Sequence, residues 1–268
     1  MSGFAPEWLA LREGADHRSI NHAVRRHLLA YLNEEANVHI ADLGCGTGSN
    51  LRSLAPEITA RQLWLLVDHD ETLLQLAATM TTDVAAAYQI EVRAHKADLS
   101  SGDITEIAAH SDLITASALF DLVSPDMITS IVNQIADAGI AFYTVLTYDG
   151  VASWLPEDDL NGTMRDAFNL HQQTDKGFGN AAGPDATSLL AKAFAERGYN
   201  ILRGKSPWIL DHNLATLRQE TDRGWAAAVV ETGAVTKAQA DVWIKSREAD
   251  DTAITIIGHE DFLALPPT

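Results

Sequence analysis

A single cysteine, Cys45, stands in 268 residues, so no disulfide can close within the chain. That suits a reducing compartment, because disulfides belong to oxidising ones. Positive charge is also scarce: 19 Lys and Arg face 37 Asp and Glu, for a formal net charge of −18. Such a surface repels phosphate backbones and anionic membranes, and no run of Lys or Arg builds a local basic groove. A nucleic-acid partner is therefore not expected. No apolar window approaches the roughly 18 residues needed to span a bilayer. Residues 1–10 lack the basic start and apolar stretch of a signal peptide. A membrane partner is not expected either, and the cytoplasm is the expected location. Metal-binding spacing is missing too. His17, His22 and His27 are five apart, which spreads them around a helix instead of stacking them on one face, and no carboxylate cluster stands out. The chain has no internal repeat and no low-complexity tract.

What remains is ordinary globular composition, 46% hydrophobic and 21% charged. The length suits one α/β domain with helical additions. Residues 17–32 carry Ile20, Val24, Leu28 and Leu32 at four-residue spacing, which predicts one N-terminal helix. Strand-length apolar runs then alternate with helical patterns. Strands are expected at 38–43, 63–67, 90–96, 112–116 and 140–147, with helices at 48–55, 70–80 and 124–138. Ser124 followed by Pro125 is a helix start, with a capping side chain and proline at the first turn. This alternation implies parallel pairing and a doubly wound sheet. Residues 148–183 are polar and aperiodic, as functional or mobile segments often are. A helix at 185–197 stopped by Gly198, a strand at 199–205, helices within 212–249 and a last strand at 252–263 complete the chain. Thr236 and Gln239 match a capping box.

The densest signal is Ala41-Asp42-Leu43-Gly44-Cys45-Gly46-Thr47-Gly48-Ser49-Asn50, placed where the first strand turns into the first core helix. Glycines at 44, 46 and 48 allow a tight turn and close approach to a ligand. The dinucleotide fingerprint G-x-G-x-x-G would need its third glycine one residue later, at Ser49. An acid ahead of the loop, Asp42, also suits a cationic ligand better than a pyrophosphate. About twenty residues on, Asp68 ends the second strand, where an acid can bind both ribose hydroxyls. The competing reading makes Asp68 or Asp70 a favourable charge at the start of the next helix.

This motif resembles that of the class I S-adenosylmethionine (SAM)-dependent methyltransferases, and the resemblance runs over residues 38–147. It implies a doubly wound, mostly parallel seven-stranded sheet with helices on both faces. The expected parts are an N-terminal helical segment (1–37), a Rossmann-like core (38–147), a lid or substrate segment (148–184) and the end of the sheet (185–268). That last part carries an inserted helical pair within 212–249, where the family often has a near-direct hairpin. The resemblance implies SAM as cofactor and S-adenosylhomocysteine as product. It points to cofactor contacts from Asp42, Gly44, Cys45, Gly46, Gly48, Asn50, Asp68 and His69. Asp98 and Leu99 would meet the adenine, and Ser117 and Ala118 would lie under the methionine part. A charged stretch before the core, Arg12-Glu13 and Asp16 to Arg18, resembles a SAM-capping segment, with Arg18 chosen for the methionine carboxylate. Ser117-Ala118-Leu119-Phe120 is not the Pro-Pro-aromatic motif of the nucleic-acid amino methyltransferases.

Methyl transfer is an in-line displacement, so the protein mainly aligns the reactants, with a base where the nucleophile loses a proton. His171, Asp121 and Tyr148 are the catalytic candidates by their place past the fourth and fifth strands. His171 is set against an ordinary loop histidine, and Asp121 against a helix-start charge. The expected activity is methylation of an O, N or C atom of a small-molecule metabolite. A SAM-binding regulatory partner without turnover, and a protein methyltransferase, are the alternatives. The helices within 212–249 either cover the substrate or form a homodimer interface; composition does not decide between these.

Overall fold

The first core strand, β1 (Asn37–Leu43), has Val38, Ile40, Ala41 and Leu43 essentially inaccessible. Burial on both faces is the mark of a central strand in a parallel sheet. A computed structural model describes residues 5–267. The first four residues of the N-terminal segment, and the last residue of the chain, lie outside the described residues. Around β1 the sheet runs β3 (Glu91–Lys96), β2 (Arg61–Asp68), β1, β4 (Leu113–Ser117), β5 (Ala141–Leu155), β8 (Ile254–Leu265), β6 (Asn200–Lys205). β3 to β5 are parallel, whereas β8 is antiparallel to both of its neighbours. The class is as expected, but the sheet has eight strands and not seven. A short β7 (Trp208–Leu210) follows β6 and pairs with the upper part of β8.

Alternation along the strands feeds two apolar layers. Ile40 and Leu66 join one, Ala41 and Val67 the other. The first layer receives Val24, Leu28 and Leu32 of α2 (His22–Leu32). The second receives Ile128, Ile131 and Ile135 of α7 (Pro125–Ala138) and Phe194 of α9 (Ala186–Glu196). Each such side chain contributes about 1.5–3 kcal/mol through its removal from water. Ser124 caps α7 through the Met127 amide (3.2 Å), and Gly139 ends it at φ +68°.

Three expectations are corrected. The single helix at 17–32 is two, α1 (Pro6–Ser19) and α2. The break comes because Asn21 turns its side chain onto the Ala23 and Val24 amides (3.1 Å each), starting a new helix. The aperiodic segment 148–183 is largely regular: β5 continues to Leu155, and α8 (Asn161–Gln172) follows. Its strand pattern was hidden by register shifts between Thr144 and Thr147 and between Tyr148 and Ala152, which break two-residue alternation. A helix at Thr82–Tyr88, absent from the sequence reading, lies between α4 (Glu71–Met80) and β3.

The inserted helices are α10 (Ala215–Glu231) and α11 (Lys237–Glu248), the second opened by the Thr236/Gln239 capping box. They pack with α8 onto the upper ends of β5, β7 and β8. Trp154 meets Trp225 and Trp243 edge-on, with centroids 5.2 and 5.4 Å apart. Beneath them Asp222 accepts from Arg247 Nε (2.9 Å), Thr255 Oγ1 (2.7 Å) and Trp154 Nε1 (3.2 Å).

Candidate functional site

The site begins at the turn from β1 into α3 (Ser49–Leu54). Gly46 (φ +54°) and Gly48 (φ +79°) hold left-handed backbone that side chains rarely adopt. A Cβ on Gly46 would meet Leu9 of α1 at 3.2 Å, and one on Gly48 would meet Thr81 at 2.9 Å. The loop hangs from the end of β2: the Cys45 amide donates to the Val67 carbonyl (3.0 Å) and the Gly46 amide to Asp68 Oδ2 (2.9 Å). Asp68 Oδ1 accepts from the Asp70 amide (2.9 Å). Asp70 itself caps α4, so the helix-start role falls to Asp70.

Beneath the loop Asp42 is inaccessible to solvent. Its Oδ1 accepts from Asn50 Nδ2 (2.9 Å), which also donates to Thr115 Oγ1 (3.1 Å). Asp42 Oδ2 and Asn50 Oδ1 have no partner among the described residues. Burial lifts the Asp42 carboxyl to about 7; the Asn50 bond opposes this, and the Asp68 charge adds to it. An acid held in this way gains from a nearby cation.

Above the loop is a cleft of about 770 Å³. The glycine loop, Asp42 and Asn50 form its floor, Asp68, His69 and Leu99 one side, and Ser117 to Leu119 the other. Ala118 leaves β4 at φ +51° with its amide on the Val145 carbonyl (3.0 Å). Such backbone costs about 1–2 kcal/mol in a residue with a Cβ and tends to persist where function holds it. Leu9, Arg12 and Asp16 of α1 roof one end; residues 175–178 roof the other. The α1 roof is fastened to α3, since Arg52 donates to both Glu13 oxygens (2.8 and 2.6 Å) and to the Thr47 carbonyl (2.6 Å). Arg12 is not free: it pairs with Asp16 (2.9 Å) and lies over the Trp208 ring (4.9 Å). Trp208 in turn donates to Asp16 (3.0 Å).

Most of the cofactor residues named from sequence thus border one cleft, with Gly48 shaping the loop from behind. Besides Gly48, two do not border it. Arg18 is exposed on α1, and the arginine of that stretch that reaches the cleft is Arg12. Asp98 is fully exposed and turns its carboxylate onto the Ser100 amide (2.9 Å), which holds it below the usual range; only its neighbours Ala97 and Leu99 face the cleft.

The three catalytic candidates all stand off the cleft lining. Tyr148 is core: its hydroxyl donates to Asn169 (2.7 Å), and its ring meets Phe168 and Trp225 edge-on. Asp121 is buried in the turn after β4, between the cleft residues Leu119 and Leu122. Its Oδ1 is unpartnered among the described residues, and burial lifts its carboxyl to about 6 against the pull of Arg12. His171, at the end of α8, has Nε2 3.2 Å from Glu231 Oε2 and Nδ1 3.2 Å from Lys176 Nζ; of these, Lys176 borders the cleft. The sequence reading named Asp16 only within a charged stretch and missed Leu9, because only folding lays α1 across the loop. It also missed His259, which is buried against Trp208 (5.2 Å) with its imidazole pushed down to about 3 and Nδ1 unpartnered among the described residues. No local pattern marks it.

Residues 40–138 match the model of a family described as a methyltransferase domain. No curated protein matches the chain. Among solved structures, a SAM-dependent methyltransferase from Geobacter sulfurreducens, bound to S-adenosyl-L-homocysteine, aligns with TM-score 0.50 at 14% identity. The alignment covers 99% of this chain and 100% of that one. A cyclopropane-fatty-acyl-phospholipid synthase-like protein from Lactobacillus casei aligns with TM-score 0.55 at 15% identity, over 98% and 95% of the two chains. An N-methyltransferase from Haemonchus contortus, bound to phosphomonomethylethanolamine and S-adenosylhomocysteine, aligns with TM-score 0.50 at 12% identity, over 100% of this chain and 59% of that one. At these identities the likeness is one of fold.

Proposed function

We propose that this chain, whose residues 40–138 match the methyltransferase-domain model, transfers the methyl group of SAM to a small-molecule acceptor. The observation that carries the reading is the buried, half-partnered Asp42 under a glycine loop whose left-handed backbone disfavours a Cβ. A cationic cofactor with a ribose and an aromatic base fits the residues present. Asp68, at the end of β2, is the acceptor for ribose hydroxyls, as acids at this place in such folds are. Leu73 and Leu99 offer apolar faces for a base. Asp42 and Asn50 favour positive charge at the loop, and Ser117 and Ala118 border the reacting end. SAM supplies an electrophilic methyl group on a sulfonium.

The rest is work for the chain's own residues. α1 and residues 175–178 roof the cleft and limit water within it, which strengthens electrostatic interactions inside. Leu119 and Leu122 present apolar surface on the acceptor side. Asp121, buried beside them with its carboxyl raised to about 6, stands off the lining and is assigned no contact with the acceptor. A roofed, largely apolar cleft on a chain of charge −18 suits a metabolite better than a nucleic acid or an extended protein surface. The lone thiol, Cys45, is buried, in keeping with a reducing cytoplasm.

The test is calorimetric titration with SAM and S-adenosylhomocysteine, followed by labelled methyl transfer from SAM to a metabolite panel. Binding of both, with label appearing in a small acceptor, is the expected result. If neither binds to folded protein, the reading fails. Binding of both, with no label transferred to any small molecule while basic proteins are labelled, would replace the metabolite by a protein acceptor.

A further inference from the structure

Three side chains form a chain of contacts from the cleft to the surface, and the proposed reaction gives their polar groups no part. Lys176 borders the same cleft as the glycine loop. Its Nζ is 3.2 Å from Nδ1 of His171, and Nε2 of His171 is 3.2 Å from Oε2 of Glu231 on α10. A nucleophile, a base within hydrogen-bond reach and a third group that orients the base is the arrangement that activates a weak nucleophile. With Glu231 accepting from Nε2–H, the imidazole presents a lone pair at Nδ1 toward the lysine nitrogen.

We infer that Lys176 is a site of self-methylation, its side-chain nitrogen taking the methyl group from cofactor bound in the same cleft. The inference rests on SAM being the bound cofactor. The neutral Lys176 nitrogen uses its lone pair to form the new N–C bond while the methyl carbon's bond to sulfur breaks. That electron pair leaves with sulfur, giving the uncharged thioether of S-adenosylhomocysteine. The proton that leaves the Lys176 ammonium beforehand goes to His171 Nδ1, where the solvent-open Glu231 carboxylate holds the imidazolium, and the alkylammonium formed keeps its charge. No further reactant is required.

Two other features bear on the inference. Burial pulls the Lys176 ammonium below its ordinary range, with Glu231 opposing, so a larger share is in the neutral, nucleophilic form. Lys176 also sits in a short loop closed by the Asp175–Asn180 bridge and followed by Gly177 (φ +102°) and Gly179 (φ +78°). Glycines at such dihedrals let a loop swing its lysine without backbone strain. Asp175 does not compete for the lysine, because its carboxylate accepts from the Gly177 amide (2.7 Å). Methylation would remove donors from the contact with His171 while keeping the charge.

The experiment incubates the full-length protein with trideuteromethyl-SAM and maps the label by peptide mass spectrometry, with SAM and S-adenosylhomocysteine binding measured on the same samples. The expected result is label at Lys176. Lys176→Arg abolishes it in protein that circular dichroism shows folded, and His171→Asn slows it by about a hundredfold, the scale of a lost general base. A protein that binds SAM yet stays unlabelled at Lys176, or is labelled only elsewhere, overturns the inference and leaves the proposed function standing. Failure to bind SAM at all removes both.

Discussion

Asp42 and Asp68 are both acids at strand ends, yet their surroundings give them different work. Asp68 is satisfied by two backbone amides and stabilises the loop whether or not a ligand is present. Asp42 is buried with one oxygen idle, so its raised carboxyl favours the protonated form in the unliganded fold. Its share of stability is fully present below the ordinary carboxylate range and is lost as pH rises through about 7. Asp42→Asn should therefore flatten the fall in Tm between pH 5 and pH 8, an effect on the order of a few kcal/mol, while weakening SAM binding. A variant whose Tm follows the parent's at both pH values would exclude Asp42 as the source. Asp68→Ala removes the proposed ribose acceptor and one loop anchor, and should weaken S-adenosylhomocysteine binding about 10- to 100-fold. Calorimetry reads this directly, and unchanged affinity would move the ribose elsewhere. The pair was legible in the sequence because spacing from the glycines fixes both. The idle oxygen was not, since it depends on Asn50 and Thr115 converging from separate elements.

At the scale of elements, the helical additions are built differently from the sheet. α10 and α11 are pinned to β5 and β8 by one buried polar knot, in which Asp222 neutralises Arg247 (2.9 Å) and stands 3.8 Å from Arg218. Both arginines are almost wholly buried. Asp222→Ala would leave two unpaired cations inside the protein, and a loss of about 3–5 kcal/mol is expected by chemical denaturation. Asp222→Asn keeps part of the hydrogen bonding and should cost less; equal losses would show that packing, not charge, dominates. Helix boundaries here followed local signals, such as the Thr236/Gln239 box. The continuation of β5 to Leu155 did not, because its pairing with Ile254 spans about a hundred residues and its bulges scramble the alternation.

For the molecule as a whole, a net charge of −18 is self-repulsion that the compact state must carry. Raising salt from about 0.01 to about 0.15 M shortens the screening length from about 30 to about 8 Å, so Tm should rise over that range. A fall would mean that exposed ion pairs such as Lys96–Glu71 outweigh the repulsion.

The sequence by itself determined the strand–helix alternation, the glycine turn and the acids set around it, because each depends on neighbours within a few residues or on a fixed spacing along one βα unit. Tertiary structure alone decided what closes the cleft. It laid α1 across the loop through Arg52 and Glu13, chose Arg12 over Arg18, and turned Asp98 outward. It also buried Tyr148 as core and set His171 behind Lys176. In each case the partner comes from a distant part of the chain. Local pattern records a residue's period and propensity, but not which remote surface its side chain will meet.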